Sequence, residues 1–388
     1  MLHMKNLFLL DPSLVFLNHG SFGACPLTVL EKCQQWQREM ERNPVEFLGR
    51  RSAQLLAHSR SVLAQYIGAK PEHLVYVANA TSGVNIVARS IPLRAGDEIL
   101  TTDHEYGACD NTWRFVCQHT GAKYVPVEIP LPFRAQEFMQ RVWAGVTPRT
   151  HVIFLSHIAS TTALIFPLAQ LCQRAREAGI LTLIDGAHAP GHIPLNLDAL
   201  GADFYTGNCH KWLCAPKGAA FLHVRPQHHH LLDAPVVSWG YSSDITGHTG
   251  FAAYTGATLL ERRLQWQGTR DLSAFLSVPA AIEFQARYDW DHIRRECHAL
   301  AAQTLQRIGA MTGLSPICED ADFGQMVAIP VPPMDADLLK ETLFKRYRIE
   351  IPVTTHQDHL FVRLSIQGYN TQADADALVD AIREIYAL

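Results

Sequence analysis

Apolar segments alternate with amphipathic ones along the first two thirds of the chain. Short apolar runs typical of buried strands occur at 73–78, 98–102, 123–129, 150–156, 180–184 and 219–224. Segments with apolar residues at helical spacing lie at 24–66 with an interruption at Asn43-Pro44, at 84–90, and at 168–178 before Gly179. Because strands that alternate with helices form βαβ units, this order predicts an α/β protein with a mainly parallel sheet.

The last third of the chain has a different pattern. An amphipathic segment at 279–312 is followed by strand-like runs at 326–330 and 359–365 and by a helical segment at 371–386. A chain of 388 residues is also long for a single core. We therefore expect an N-terminal arm at 1–25, a large sheet-centred domain at 26–272 and a smaller α+β domain at 273–388, with 267–278 as the link.

Composition and charge exclude several classes of protein. Hydrophobic residues make up 48% of the chain, charged residues 18%, and the net charge is −4 without any block of five like charges. This balance gives no reason to expect nucleic acid or an anionic membrane as a partner. The apolar run at 7–10 is too short for the core of a signal peptide, and no segment is long enough to span a bilayer.

The cysteine pattern indicates a reducing compartment. The nine cysteines are odd in number and form no Cys-x-x-Cys pair, so neither a disulfide framework nor a zinc ribbon is predicted. We expect a cytoplasmic protein with reduced thiols. The run His228-His229-His230 suits a solvated loop better than a metal site, and we predict no metal.

Small polar residues follow the first strand. The segment from Asn79 to Gly83 lies between an apolar run and a helical one. Such a turn brings backbone N–H groups and a helix N-terminus to a phosphate. Taken alone, the same residues fit a plain helix N-cap.

Two further groups at strand ends suggest chemistry. Asp185 ends the apolar run at 180–184, and a carboxylate there needs a cationic partner or a capping role. Lys211 follows in Asn208-Cys209-His210-Lys211-Trp212, where desolvation would lower its pKa as imine chemistry requires. Lys217 in the next turn is an alternative lysine, which the residues alone leave open.

These segments carry a resemblance to a known family. The motifs are LNHGSFGACP at 17–26, NPVEF at 43–47, ATSGVN at 80–85, DGAHAPG at 185–191, NCHKW at 208–212, WQGTRD at 266–271 and VRLSIQGYNT at 362–371. Together they resemble the class V aminotransferase-fold enzymes of fold type I, which use pyridoxal 5′-phosphate (PLP), and most closely the isopenicillin N epimerase-like branch. The resemblance implies a seven-stranded, mainly parallel sheet in the large domain and a homodimer with active sites shared between subunits.

The resemblance also implies roles for individual residues. Lys211 is similar to the Schiff-base lysine, Asp185 to the carboxylate on the pyridine nitrogen and His104 to the ring stacked on the cofactor. Contacts with the cofactor phosphate are implied for Thr81, Ser82, Asn208 and His210, and contacts with the cofactor ring for His188 and Ser160. Gly268 and Thr269 are implied to reach the phosphate from the neighbouring subunit. Arg363 resembles the clamp for the substrate carboxylate, and Asn18, His19 and Arg50 are candidates for the substrate pocket.

The reaction is left open between several outcomes. The resemblance favours an amino-acid epimerase over a carbon–sulfur β-lyase acting on a cysteine derivative and over an aminotransferase. All three use the same lysine and aspartate. Desulfurases of this group carry a catalytic cysteine shortly before the carboxylate-binding arginine, but no cysteine follows Cys318 here, so persulfide chemistry is not expected. A non-catalytic binding module would lack the lysine or the aspartate, and both are present.

Overall fold

The computed structural model describes residues 4–241 and 256–388. Its strands are β1 Val15–Phe16, β2 Leu74–Val77, β3 Glu98–Thr102, β4 Lys123–Val127, β5 Thr150–Ser156, β6 Leu181–Asp185, β7 Phe204–Asn208, β8 Ala220–Val224, β9 Met326–Val331, β10 Ile349–Glu350, β11 Val353–His356 and β12 His359–Ser365. Its α-helices are α1 His19–Phe22, α2 Leu27–Arg42, α3 Pro44–Glu46, α4 Ser52–Tyr66, α5 Ala80–Ser90, α6 Gly107–Thr120, α7 Ala135–Ala144, α8 Ala169–Glu177, α9 Leu197–Leu200, α10 Leu259–Leu264, α11 Ser273–Leu276, α12 Val278–Arg287, α13 Trp290–Thr312, α14 Ala336–Tyr347 and α15 Gln372–Tyr386.

Seven strands form the central sheet in the order β2-β8-β7-β6-β5-β3-β4. Strand β8 runs antiparallel to both of its neighbours, and the other adjacent pairs are parallel. Strands β2, β3, β7 and β8 are buried along their whole length, as expected for a sheet covered on both faces. The predicted α/β fold with a mainly parallel sheet is confirmed.

A second, antiparallel sheet has the order β11-β12-β9. The N-terminal segment joins this part of the molecule, because β1 pairs with β10 and Asn18 forms a bridge with Ser365. Helices α11 and α12 pack against α2 and α4, so the elements on the two sides of residue 272 are in direct contact. The division of the chain into an arm and two domains stays a prediction.

Local sequence explains where the helices break. Asn43 accepts a hydrogen bond from the backbone N–H of Glu46 and starts a new helix after α2, as the Asn43-Pro44 pair predicts. The segment predicted as one helix at 279–312 is two helices. Asp289 separates them with φ +46°, and its side chain accepts a hydrogen bond from the backbone N–H of His292 at the start of α13.

The carboxyl ends of the parallel strands carry the polar residues that the sequence singled out. Asn79 follows β2, Asp185 ends β6 and Asn208 ends β7. Gly83 allows α5 to approach this edge closely, since a Cβ atom there would lie 2.2 Å from Oγ1 of Thr206. In open α/β sheets this edge is where ligands bind. Among the described residues, no helix is long and apolar enough to cross a membrane.

Candidate active site

A cavity of about 580 Å³ lies at the carboxyl edge of the central sheet. Residues from the N-terminal segment, from several strand ends and from β12 line it: Gly20, Ser21, Phe22, Thr81, Tyr106, Ser160, Asp185, His188, Asn208, His210, Lys211 and Arg363. The cavity therefore brings together most of the residues that the sequence analysis selected from distant parts of the chain.

Lys211 lies in the turn after β7 and is part of the cavity wall. Desolvation, and then the positive charge of Arg363, lower the pKa of its ammonium group from 10.5 to about 7. A substantial fraction of the Lys211 side chains is thus neutral, and nucleophilic, at neutral pH. Lys217 is held elsewhere, because its Nζ donates a hydrogen bond of 2.9 Å to the carbonyl oxygen of Gly23. This geometry favours Lys211 over Lys217 as the reactive lysine.

His188 contacts the amino group of Lys211 directly. Its Nε2 lies 3.1 Å from Nζ of Lys211, while its Nδ1 accepts a hydrogen bond of 3.3 Å from the indole N–H of Trp212. Burial holds the pKa of His188 well below 6.5, so the ring is neutral. Because Nδ1 is the acceptor, Nε2 carries the proton and donates it toward the lysine nitrogen. Lys211 must then be the neutral amine, in agreement with its lowered pKa.

Asp185 is only 4% exposed at the end of β6. Its Oδ1 accepts the backbone N–H of Ala187 at 2.9 Å, and Oδ2 accepts a weak hydrogen bond from the thiol of Cys109 at 3.5 Å. Burial raises the pKa of Asp185, and the N–H of Ala187 and the charge of Lys211 oppose this rise. A carboxylate so placed is suited to a ligand that brings its own positive charge, such as a protonated ring nitrogen.

The start of α5 forms another wall of the cavity. The side-chain oxygen of Asn208 accepts a hydrogen bond of 2.8 Å from the backbone N–H of Ala80, which fixes the first turn of the helix. Asn79 caps the same helix through the N–H of Ser82 at 2.8 Å. Thr81 lines the cavity, whereas Ser82 faces a neighbouring cavity of about 720 Å³ that Thr81 also lines. A helix N-terminus at this point favours an anionic group.

Arg363 of β12 lies in the wall formed by the antiparallel sheet. It is 5% exposed. Its Nη1 donates to the backbone carbonyl and the hydroxyl of Ser160, and its Nη2 donates to Oγ of Ser21 at 3.1 Å. Burial lowers its pKa to about 10, which leaves it cationic at neutral pH. No carboxylate of the chain as described lies within ion-pair distance of it, so the guanidinium has no counter-ion and is suited to bind one.

His104 is not among the residues that line the cavity. Its ring is buried, with Nδ1 2.8 Å from the hydroxyl of Thr162 and Nε2 2.9 Å from the carbonyl of Ile129. The stacking role that the resemblance implies for His104 therefore does not fit this side-chain position. Two residues further along, Tyr106 does line the cavity.

The other predicted pocket residues are placed differently from one another. His19 is fully buried, with Nδ1 2.9 Å from the hydroxyl of Tyr369 and Nε2 3.1 Å from the carbonyl of Lys211, so it holds the lysine backbone rather than lining the cavity. Asn18 donates to Glu350, and Arg50 is exposed on the surface. The segment at 268–269 is not part of the cavity wall as described.

Gly23, with φ +71°, brings the N-terminal segment against the backbone of His210. Two other contributions were missed by the sequence analysis, and the first is Ser21, which orients Arg363. Glu105 lies buried beneath the site, where it accepts the N–H and hydroxyl of Ser156, and burial raises its pKa to about 8. The motif at 17–26 indicated this region but not these contacts.

The fold and the site together define a class of protein. A desolvated lysine, a buried carboxylate at a strand end and a helix N-terminus surround one cavity at the edge of a mainly parallel sheet, which is typical of α/β enzymes that bind a phosphorylated cofactor. Comparison with known proteins gives the family. The family model for class-V aminotransferases matches residues 15–378, and the chain belongs to that family.

Similar proteins include enzymes with different reactions. The chain is 38% identical to isopenicillin N epimerase of Amycolatopsis lactamdurans, over 97% of this chain and 96% of that protein. It is 26% identical to hercynylcysteine sulfoxide lyase of Schizosaccharomyces pombe, over 99% and 97% of the two chains. Among solved structures, C-DES with glycine covalently linked to its PLP cofactor matches with a TM-score of 0.83 at 20% identity, covering 97% of this chain and 98% of that one. This last similarity concerns the fold.

Proposed function

We propose that the protein is a PLP-dependent enzyme that epimerises an amino acid at its α-carbon, in the manner of isopenicillin N epimerase. The observation that carries the proposal is the meeting of Lys211, Asp185 and Arg363 in one cavity. The identity of 38% to an isopenicillin N epimerase over nearly the whole chain supports the choice of reaction.

The lining of the cavity fits the cofactor. PLP, when bound, supplies an electron sink that stabilises negative charge at the α-carbon. Asp185 would hold the ring nitrogen with its buried carboxylate, and Lys211 would be the amine that holds the cofactor through its aldehyde. Thr81, Asn208 and His210 lie where a phosphate would meet the N-terminus of α5. His188 directs its Nε2–H at the lysine nitrogen from the same wall.

The substrate is an amino acid held by its carboxylate. The planar fork of Arg363 is buried and lacks a counter-ion among the described residues, and it is oriented by Ser160 and Ser21. A carboxylate bound there would be fixed in two directions. Lys211, with its lowered pKa, then takes the α-proton as a general base.

Epimerisation needs a proton returned to the opposite face of the α-carbon. Tyr106 is the ionisable side chain of the described lining that has no other role in this scheme, and we assign it this proton. No cysteine is part of the described lining, which gives no support to persulfide chemistry. A carbon–sulfur lyase is the second candidate, because hercynylcysteine sulfoxide lyase aligns over nearly the whole chain.

The reactions are distinguished by one experiment. PLP-loaded enzyme is incubated in deuterated water with isopenicillin N, a panel of L-amino acids and several cysteine conjugates. An epimerase gives inverted product that carries deuterium at the α-carbon. Release of pyruvate from a cysteine conjugate without inversion would contradict the proposal and favour the lyase, and formation of a keto acid would favour the aminotransferase.

Matched lysine variants provide the control. Lys211→Ala is expected to abolish every one of these reactions, because it removes the general base. Lys217→Ala removes a neighbouring lysine that is bound to Gly23 and lies outside the cavity, so it is expected to keep the activity.

We also propose a homodimer in the cytoplasm, in which Gly268 and Thr269 of one subunit complete the phosphate site of the other. The support is the motif at 266–271, which in the resembling enzymes reaches the phosphate from the neighbouring subunit.

A further inference from the structure

A cluster of metal-ligating side chains lies at the edge of the central sheet opposite to the active site. His73 immediately precedes β2, and the neighbouring Leu74 pairs with His223 of β8. Asp198 belongs to α9, and its backbone N–H donates to the carbonyl of Gly68, which fixes this helix to the end of α4. One potential ligand atom from each of His73, Asp198 and His223 lies within 4.8 Å of the other two.

His223 is the unusual member of this cluster. It is 2% exposed, and neither of its ring nitrogens has a hydrogen-bond partner among the described residues. A buried imidazole that forms no hydrogen bond loses its hydration without compensation, which destabilises the fold. A ligand that accepts the nitrogen lone pair would remove this penalty. His73 meets the His223 ring edge to face with the centroids 5.9 Å apart, so its side chain already faces the same point.

We propose that His73, Asp198 and His223 bind a divalent transition-metal ion, and that the ion is Zn²⁺. Two imidazoles and one carboxylate form a donor set that zinc accepts in tetrahedral geometry, with water as the fourth ligand. His73 is half-buried and Asp198 is exposed, so both can approach the ion by side-chain rotation.

The neighbouring histidines do not compete for this position. His228 is bound to Asp203 through Nε2 at 2.9 Å, and His229 donates its Nε2–H to the carbonyl of Val224 at 3.0 Å. The proposed ion would tie α9 to the edge strand β2 and to its neighbour β8. The ion would lie away from the cofactor, since the cofactor residues follow the carboxyl end of β2 and His73 precedes its amino end.

The proposal is tested on metal-stripped, PLP-loaded enzyme by equilibrium dialysis against Zn²⁺ with mass-spectrometric metal analysis. We expect one Zn²⁺ per chain, and binding at least about tenfold weaker in both His73→Ala and Asp198→Asn. Both positions are accessible to solvent, so these variants keep the core that His223 belongs to. His119→Ala, which removes an exposed histidine of α6 outside the cluster, is the matched control and should bind as the wild type does.

Two further readouts separate this site from the nine thiols of the chain. X-ray absorption at the zinc edge should show nitrogen and oxygen ligands without sulfur, and Zn²⁺ should raise the melting temperature of the wild type but not of His73→Ala. Absence of stoichiometric binding, sulfur in the ligand shell, or unchanged affinity in either cluster variant would overturn the proposal. These outcomes are independent of the reaction catalysed at the other edge.

Discussion

Replacing Arg363 with leucine tests how the cavity holds its substrate. In the wild type the guanidinium is buried, is oriented by three hydrogen bonds to Ser160 and Ser21, and meets no carboxylate in the described chain. Each hydrogen bond to a charged partner contributes about 1.5–3 kcal/mol. Loss of a two-pronged contact with a carboxylate should therefore cost about 3–6 kcal/mol, or about 100- to 10,000-fold in affinity.

The assay is a spectral titration of the PLP-loaded variant with the amino acid that the wild type turns over, together with kcat/KM for that substrate. Arg363→Lys keeps the charge but loses the planar fork, and it should lie between wild type and Arg363→Leu. Arg346→Leu removes an exposed arginine that pairs with Glu384 in the same part of the chain, and it is the matched control. Its substrate affinity should be unchanged.

Thermal unfolding distinguishes substrate binding from folding. Because Arg363 is a buried cation without a counter-ion in the described structure, Arg363→Leu should not lower the melting temperature of the protein and can raise it. A variant that binds the amino acid as tightly as the wild type would refute the reasoning. Weak binding that accompanies a collapse in stability would instead assign Arg363 a structural role.

Four further predictions follow from the site. The free energy of unfolding of the apo wild type should rise between pH 7 and 10.5, because Lys211 has a pKa of about 7 in the folded state and 10.5 in the unfolded state. This contribution to stability is fully present above pH 10.5 and is lost as pH falls through about 7. In urea unfolding, apo Lys211→Met should lack this pH dependence, and at pH 7 its free energy of unfolding should be higher than that of the wild type by up to about 5 kcal/mol. Asp185→Asn should bind PLP about 10- to 100-fold more weakly in a fluorescence titration, and equal affinity would contradict the pairing with the ring nitrogen. Tyr106→Phe should still exchange the α-hydrogen for deuterium but return it without inversion, whereas normal epimerisation would remove Tyr106 from the mechanism. If sites are shared between subunits, co-refolding Lys211→Ala with Thr269→Glu should restore activity that neither variant has alone, because a mixed dimer contains one site with both Lys211 and Thr269 intact. No recovery of activity would argue against shared sites.

The periodic features of the chain made much of the fold predictable. Strands β3, β5 and β12 begin and end at the predicted residues. Strand β7, Phe204–Asn208, was not predicted, because its sequence FYTGN contains a glycine and two polar residues. Its place in the middle of the sheet comes from pairing with β6 and β8, which local sequence does not encode.

The candidate site was predictable as a set of residues but not as a set of contacts. Lys211, Asp185 and Arg363 stand out through motifs, and the structure places all three at the cavity. His104 and Tyr106 lie in one short loop, and only the side-chain orientation decides which of them lines the cavity. A sequence motif gives the spacing of the residues but not the orientation of their side chains. His19 and Lys211 are 192 residues apart, so their contact depends on how the N-terminal segment packs.

The central claim is that Lys211 is the residue that bonds to PLP. Reduction of the PLP-loaded enzyme with borohydride, followed by proteolysis and peptide mapping, tests it most directly. We expect the cofactor label on the peptide containing Lys211, and we expect it to be lost in Lys211→Ala but kept in Lys217→Ala. A label on any other lysine, or no label on a protein shown to be folded and loaded with PLP, would contradict it.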